Sequence, residues 1–188
     1  MDETMNAQQA ETLVRQKLSA LQDLKYREFH ASLIPTVRKE TVIGVRTPAL
    51  RALAKDLHGT AAGEAFLQIL PHEYYEEQAL HAMLIERGDF ETVLRETERF
   101  LPTIDNWAIC DLLRVKVFAG HEEELMPHIL RWLHSGRTYV VRFGIRMLMD
   151  FYLGKAFCPA YLKLAADCAC GDYYIDMCVA WYFAEALC

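Results

Sequence analysis

The sequence predicts an all-α protein, and three observations predict it. Apolar residues recur at helical spacing along almost the whole chain; Gly, Pro and small capping residues interrupt them at short intervals; no segment alternates with period two beside a hairpin turn. The chain has 188 residues, 53% hydrophobic and 24% charged, which suits one ordinary domain with an ample core and is too apolar for intrinsic disorder.

The elements follow in order. Asn6-x-x-Gln9 resembles a capping box opening the first helix, with Leu13, Leu18 and Leu21 at roughly helical spacing behind it. A second helix runs from Asp23 to about Ile34 and stops near Pro35. Thr47-Pro48 signals a start, Thr as N-cap and Pro at the first helical position, where its missing N–H costs nothing. Leu50, Leu53, Ala54 and Leu57 then mark one face. Gly59-Thr60 breaks and restarts the chain, Pro71 breaks it again, and Gly88-Asp89 caps a further helix. Pro102-Thr103 opens a helix with Ile104, Trp107, Ala108, Leu112, Val115 and Phe118 on its apolar positions, ended by Gly120. Similar units cover 121–134, 137–153, 158–169 and 172–188, separated by Gly136, Gly154 and Gly171. Glu122-Glu123-Glu124 reads as a solvated helix N-terminus, favourable with the helix dipole.

About ten helices with short connections stack most simply as about five antiparallel pairs at a period near 35–40 residues, the range of HEAT-type solenoids. No sequence words repeat, so the period is structural, and a compact irregular bundle is the alternative. The expectation is one HEAT-like α-solenoid domain over residues 1–188. Such a fold presents a concave surface lined by one helix of each pair, where residues distant in sequence can meet.

Several function classes are excluded. Charges punctuate every window, so none reaches the ~18 uninterrupted apolar residues of a membrane span. Met1-Asp2-Glu3-Thr4 is acidic and has no apolar core, unlike a secretory signal, so a soluble cytoplasmic protein is expected. Cys110, Cys158, Cys168, Cys170, Cys178 and Cys188 lack C-x-x-C spacing and read as reduced, mostly buried thiols rather than metal ligands. The seven His have no zincin spacing, and no Gly-rich loop implies a nucleotide; neither metal nor cofactor is expected. Net charge is −6, which argues mildly against nucleic acid, although its distribution is uneven. Residues 23–58 carry seven Lys/Arg against four acids and 101–163 eight against six, whereas 71–100 carry three against eight.

Trp107 and Asp111 lie four residues apart on one predicted helix, hence on one face. Arg142 follows Asp111 by 31 residues and Trp181 follows Arg142 by 39, approximately one repeat each, so in a solenoid the set could line successive steps of one groove. Taken singly, each has a plainer reading: Trp as core, Asp as a solvated or paired acid, Arg as a bridge between helices.

The stretch Ile43-Gly44-Val45-Arg46-Thr47-Pro48-Ala49-Leu50-Arg51 resembles the Gly-Val-Arg-Thr-Pro element of the AlkD-type DNA alkylation repair family. Asn106-Trp107…Asp111, Tyr139-Val140-Val141-Arg142 and Ala180-Trp181 resemble its later elements, in the family's order and across about residues 5–188. The resemblance implies a HEAT-like alkylpurine DNA glycosylase that excises cationic N3- and N7-alkylated purines from duplex DNA and, unlike most glycosylases, leaves the lesion in the stack. Asp111 matches the family's catalytic carboxylate. Trp107 and Trp181 match aromatics that pack against the deoxyribose-phosphate backbone, and Arg142 matches the residue supporting it. The family pattern continues beyond the helix of Trp181 with a further segment, so this chain is expected to lack it and to expose an apolar face including Phe183 and Leu187.

An alkylated purine already carries positive charge and is a good leaving group. Breaking its glycosidic bond builds positive charge on the sugar, which a carboxylate such as Asp111 can stabilise while orienting water. Arg38, Lys39, Arg46 and Arg51, with Arg146, are the candidate phosphate-binding residues, each adding about −0.9 to the salt slope of duplex binding. The alternative is a HEAT-like module without catalysis that binds DNA structures or a protein partner. The two readings differ on whether Asp111 faces an open groove or is buried by its neighbours.

Overall fold

The computed structural model describes residues 5–188, so the reading of Met1–Thr4 lies outside the described residues. These hold eleven α-helices, three short 3₁₀ turns and no strand, and the all-α fold class is the observed one. The chain divides into two compact units, Met1–Arg114 and Val115–Cys188. The first contains α1 (Ala7–Ala20), α2 (Leu24–Leu33), α3 (Thr47–Leu57), α4 (Ala61–Leu67), α5 (Tyr75–Ile85), α6 (Phe90–Phe100) and α7 (Trp107–Leu112). The second contains α8 (Glu122–Leu133), α9 (Thr138–Tyr152), α10 (Pro159–Ala166) and α11 (Tyr173–Ala186).

Local chemistry starts most helices where the sequence says. Asn6 and Gln9 exchange side-chain bonds with each other's backbone N–H at 2.9 and 3.0 Å, closing the capping box of α1. Thr60 takes the Gly63 N–H to open α4, and Asp89 takes the Thr92 N–H to open α6. The face that α1 buries is Ala10, Val14 and Leu18; Leu13 is half-buried, and Leu21 is exposed because it is the C-cap, past the last helical residue. At α3 the predicted face Leu50, Leu53, Ala54 and Leu57 is buried, but Arg46 is the N-cap and Thr47 is already helical.

The long helix expected from Pro102-Thr103 to Gly120 is instead three pieces. A 3₁₀ turn at Leu101–Thr103 precedes α7, and another at Lys116–Phe118 follows it. Asn106 restarts the helix by accepting the Ile109 N–H at 2.9 Å. The ladder then ends because Leu113 leaves helical geometry and the Arg114 N–H turns to Glu86 Oε1 at 2.7 Å. A tertiary acceptor replaces the carbonyl that a continuing helix would use.

Within each unit, helices stack on neighbours one to three places along. In the first, α3 packs on α5 and α5 on α7, with α1 covering α4; in the second, α9 packs on both α8 and α11. This is the packing pattern of stacked helical repeats. Being central, α5 buries every residue from Tyr75 to Ile85, including the acids at its start.

Those acids organise the first unit. Glu76 is fully buried, and its carboxylate accepts the backbone N–H groups of Ile43 (2.7 Å), Gly44 (2.7 Å) and Val45 (3.2 Å). Glu77, also fully buried, takes the Arg15 guanidinium of α1 at 2.6 Å. Gly44 sits at φ 95°, and a Cβ there would lie 2.5 Å from Arg27 Cβ and 2.8 Å from Asp23 O, so no other residue fits. The Gly-Val-Arg-Thr-Pro stretch is therefore a structural knot tying α2, α3 and α5 together.

His72 and His81 are buried beside each other, Nε2 to Nδ1 at 2.8 Å, with His72 stacked on Phe66 and His81 on Phe100. Burial pushes both imidazoles well below their ordinary 6.5. A base depressed in the folded state stays neutral there while its unfolded counterpart takes a proton. Folding stability should thus fall as pH drops below about 6.5, by up to about 1.4 kcal/mol per pH unit for each imidazole. Thermal unfolding across pH 7.5 to 5 checks this, and the His72→Gln/His81→Leu double variant should lose that part of the slope.

The thiols depart from expectation. Only Cys110 and Cys178 are buried, Cys158 and Cys168 are half-buried, and Cys170 and Cys188 are exposed. The last pair lie in a turn and at a helix end, where there is no core to receive them. Among the described residues no group of three His, Cys, Asp or Glu is placed to hold a metal. No described helix is long and apolar enough to cross a membrane.

Candidate functional site

In the first unit the site is built on α7. Its N-cap Asn106 is fully buried and also donates from Nδ2 to Asp105 at 2.9 Å and to Gln78 of α5 at 3.5 Å. Ile109 and Cys110 fill the core beneath. That anchoring turns the opposite side of α7 outward. Trp107, the first helical residue, is half-exposed, and its Nε1 donates to the Leu33 carbonyl at the end of α2 (3.3 Å). Asp111, one turn on, is half-buried on the same side. Trp107 is therefore not core; the core tryptophan is Trp132, which is 5% exposed.

The second unit holds the later residues. Arg142 of α9 is buried, its Nη1 donating to the Tyr174 carbonyl of α11 at 2.7 Å. Thr138 donates to Asp172 at 2.7 Å, and Asp172 caps α11 by accepting the Tyr174 and Ile175 N–H groups. Trp181 stands 40% exposed on α11, in a stripe with Tyr173 and Met177, its Nε1 donating to Glu185. Leu187 is exposed beyond it, while Phe183 is half-buried.

The candidate phosphate-binding residues divide. Arg38, Lys39, Arg46 and Arg51 are all exposed. Lys39 is ion-paired with Glu28, and Arg46 lies over the Tyr26 ring while pairing with Asp23 at 2.9 Å. The Tyr26 N–H and the Arg46 guanidinium together hold the Asp23 carboxyl below its usual range. Arg146 differs: its side chain is 6% exposed and pairs with Asp150 one turn along α9 at 3.3 Å, so it is packed inside rather than displayed to a phosphate. Charge pattern in the sequence does not distinguish an arginine on the buried side of a helix.

A family model described as DNA alkylation repair enzyme matches residues 14–169. The chain belongs to that family. No curated protein and no solved structure matches it. A DNA alkylation repair protein with net charge −6 must keep its acids away from the DNA. In the acidic tract 71–100 many are engaged internally: Glu76 with a loop backbone, Glu73 and Glu77 with Arg15, Asp89 as a cap, and Glu96 with Arg95 and Arg99. Sequence reading missed Glu76, Gln78 and Asn106 as the residues that hold α7 and the 43–45 loop in place. Only the Asn106 N-cap had a readable signal, three residues before the Ile109 N–H it accepts.

Proposed function

We propose that this member of the DNA alkylation repair enzyme family is an alkylpurine DNA glycosylase, cleaving the N-glycosidic bond of cationic N3- and N7-alkylated purines in duplex DNA without flipping the base. The observation that carries the reading is the pair on α7: an indole and a carboxylate one turn apart, both reaching solvent, on a short helix locked from below by Asn106. A buried Asp111 would have favoured the module without catalysis.

The chemistry needs little else. The bond between C1′ and the purine nitrogen breaks, its electron pair neutralises the charged base, and positive charge passes to the sugar. The Asp111 carboxylate stabilises that charge and orients a water, whose oxygen bonds to C1′ and whose proton leaves to the carboxylate and then to solvent. Trp107 offers the negative face of its ring to the sugar. By resemblance, Trp181 packs against the backbone and Arg142 supports it. Arg38 and Arg51 are exposed and form no ion pair among the described residues, and Lys39 and Arg46 can exchange surface carboxylates for phosphates.

The test is release of 7-methylguanine and 3-methyladenine from methylated duplex DNA by the wild-type chain. Release of both bases without a metal or cofactor is the expected result. A folded chain that binds the duplex and releases neither base overturns the enzymatic reading.

A further inference from the structure

We propose that Arg87 and Arg114, together with Arg51, form a second phosphate-binding site for the duplex backbone, gathered around Glu86 at the ends of α5 and α7. The inference deepens the functional reading above and rests on it. Arg87 and Arg114 belong to no motif that the sequence singles out.

The packing brings the three together. Glu86 and Arg87 directly follow α5, Arg114 lies two residues past α7, and Arg51 is on α3, which packs against α5 as α5 does against α7. Glu86 is the centre: its Oε1 accepts the Arg114 backbone N–H at 2.7 Å. Burial raises its carboxyl above the ordinary value, while that N–H and the positive charges of Arg51, Arg114 and Arg87 pull the other way. The Arg114 backbone, the neighbouring Arg87 and the α3–α5 packing that carries Arg51 thus group three arginines about one half-buried carboxylate, near enough for their charge to act on it.

Apart from that attraction to Glu86, no side-chain hydrogen bond or ion pair fixes the three guanidinium groups among the described residues. Arg51, Arg87 and Arg114 are exposed. Elsewhere in this unit Arg15, Arg46, Arg95 and Arg99 are each held by carboxylates. Three positive charges about one carboxylate leave a surplus that is a place for an external anion, and the planar forks of arginine match phosphate oxygens. Arg114 follows Asp111 by three residues and lies just past the end of the same helix, so the group adjoins the element that carries the proposed carboxylate. Holding a phosphate there would fix the register of the duplex against the carboxylate without reading sequence.

The experiment is the salt dependence of affinity for an unmodified duplex, by fluorescence anisotropy, for the wild type, Arg87→Gln/Arg114→Gln, Arg87→Lys/Arg114→Lys and the control Arg95→Gln. The Gln pair should make the slope of log K against log salt shallower by about 1.8, at about 0.9 for each phosphate that is no longer neutralised. The Lys pair, which keeps both charges, should stay near the wild type, as should Arg95→Gln. A purely structural role would alter the melting temperature and leave the slope alone. A Gln pair with the wild-type slope, or a Lys pair that fails to restore it, overturns this site and leaves the glycosylase reading intact. A wild type that does not bind duplex DNA overturns both.

Discussion

Asp111→Asn should reduce release of 7-methylguanine and 3-methyladenine by about 10²–10³-fold, the cost of removing one preorganised electrostatic partner from a developing charge. Asn has almost the same shape, so the change removes the negative charge and leaves α7 in place. Asp111 contributes little when the duplex is merely bound, because the positive charge is then on the base rather than the sugar. Affinity for methylated duplex should therefore be unchanged or slightly higher, one carboxylate having left the neighbourhood of the phosphates. The loss should appear in kcat with KM nearly constant, as expected for an interaction made mainly in the transition state. Single-turnover release on methylated duplex, with melting temperature recorded alongside, separates this from unfolding. A folded variant with wild-type release would remove Asp111 from the chemistry.

The second large effect is on stability. Glu76→Ala leaves the N–H groups of Ile43, Gly44 and Val45 buried without their acceptor. At about 1–3 kcal/mol for each unsatisfied buried group, the loss should be at least about 3 kcal/mol. That is a large share of the about 5–15 kcal/mol by which a domain is stable. Glu76→Gln should cost less but not nothing, because its NH₂ must meet at least one backbone donor. Denaturant unfolding checks both, with a lower midpoint in each variant and the larger shift for Ala.

Glu76 also has a pH signature. Burial pushes its carboxyl above the ordinary 4.5, partly offset by the three N–H groups. The folded chain then holds this proton to higher pH than the unfolded chain does. The contribution is greatest below about pH 4.5, declines as pH rises through the folded value, and is level beyond it. This runs opposite to the imidazole pair, and Glu76→Ala should remove it. If the wild type and Glu76→Ala have parallel stability profiles from pH 4.5 to 7.5, Glu76 titrates alike in both states.

Some of the molecule follows from the sequence alone. The all-α class rests on helical spacing of apolar residues, and the starts of α1, α4 and α6 rest on Asn6, Thr60 and Asp89, whose side chains reach N–H groups only three residues away. These are local interactions, complete within one turn of chain. The pairing of Trp107 with Asp111 is legible for the same reason, since four residues on a helix fix a common face. Which side of that helix meets solvent is not local. Asn106 and Gln78, 28 residues apart, decide it.

Tertiary structure alone decided the rest. The helix expected through Gly120 stops early because Glu86, on another element, offers the Arg114 N–H a better acceptor than the next carbonyl. Arg146 and Arg51 are the same residue type in similarly basic stretches, yet one is packed beside Asp150 and the other exposed. Glu76 reads in sequence as one more acid in an acidic tract, while in the fold it carries the 43–45 loop. Each case turns on a partner that the chain brings from far away, and the strength of a charge or hydrogen bond depends on the burial that this partner creates. Spacing along the chain determined the helices and the common face of Trp107 and Asp111; burial and long-range partners determined which charges the molecule packs inside and which it leaves exposed.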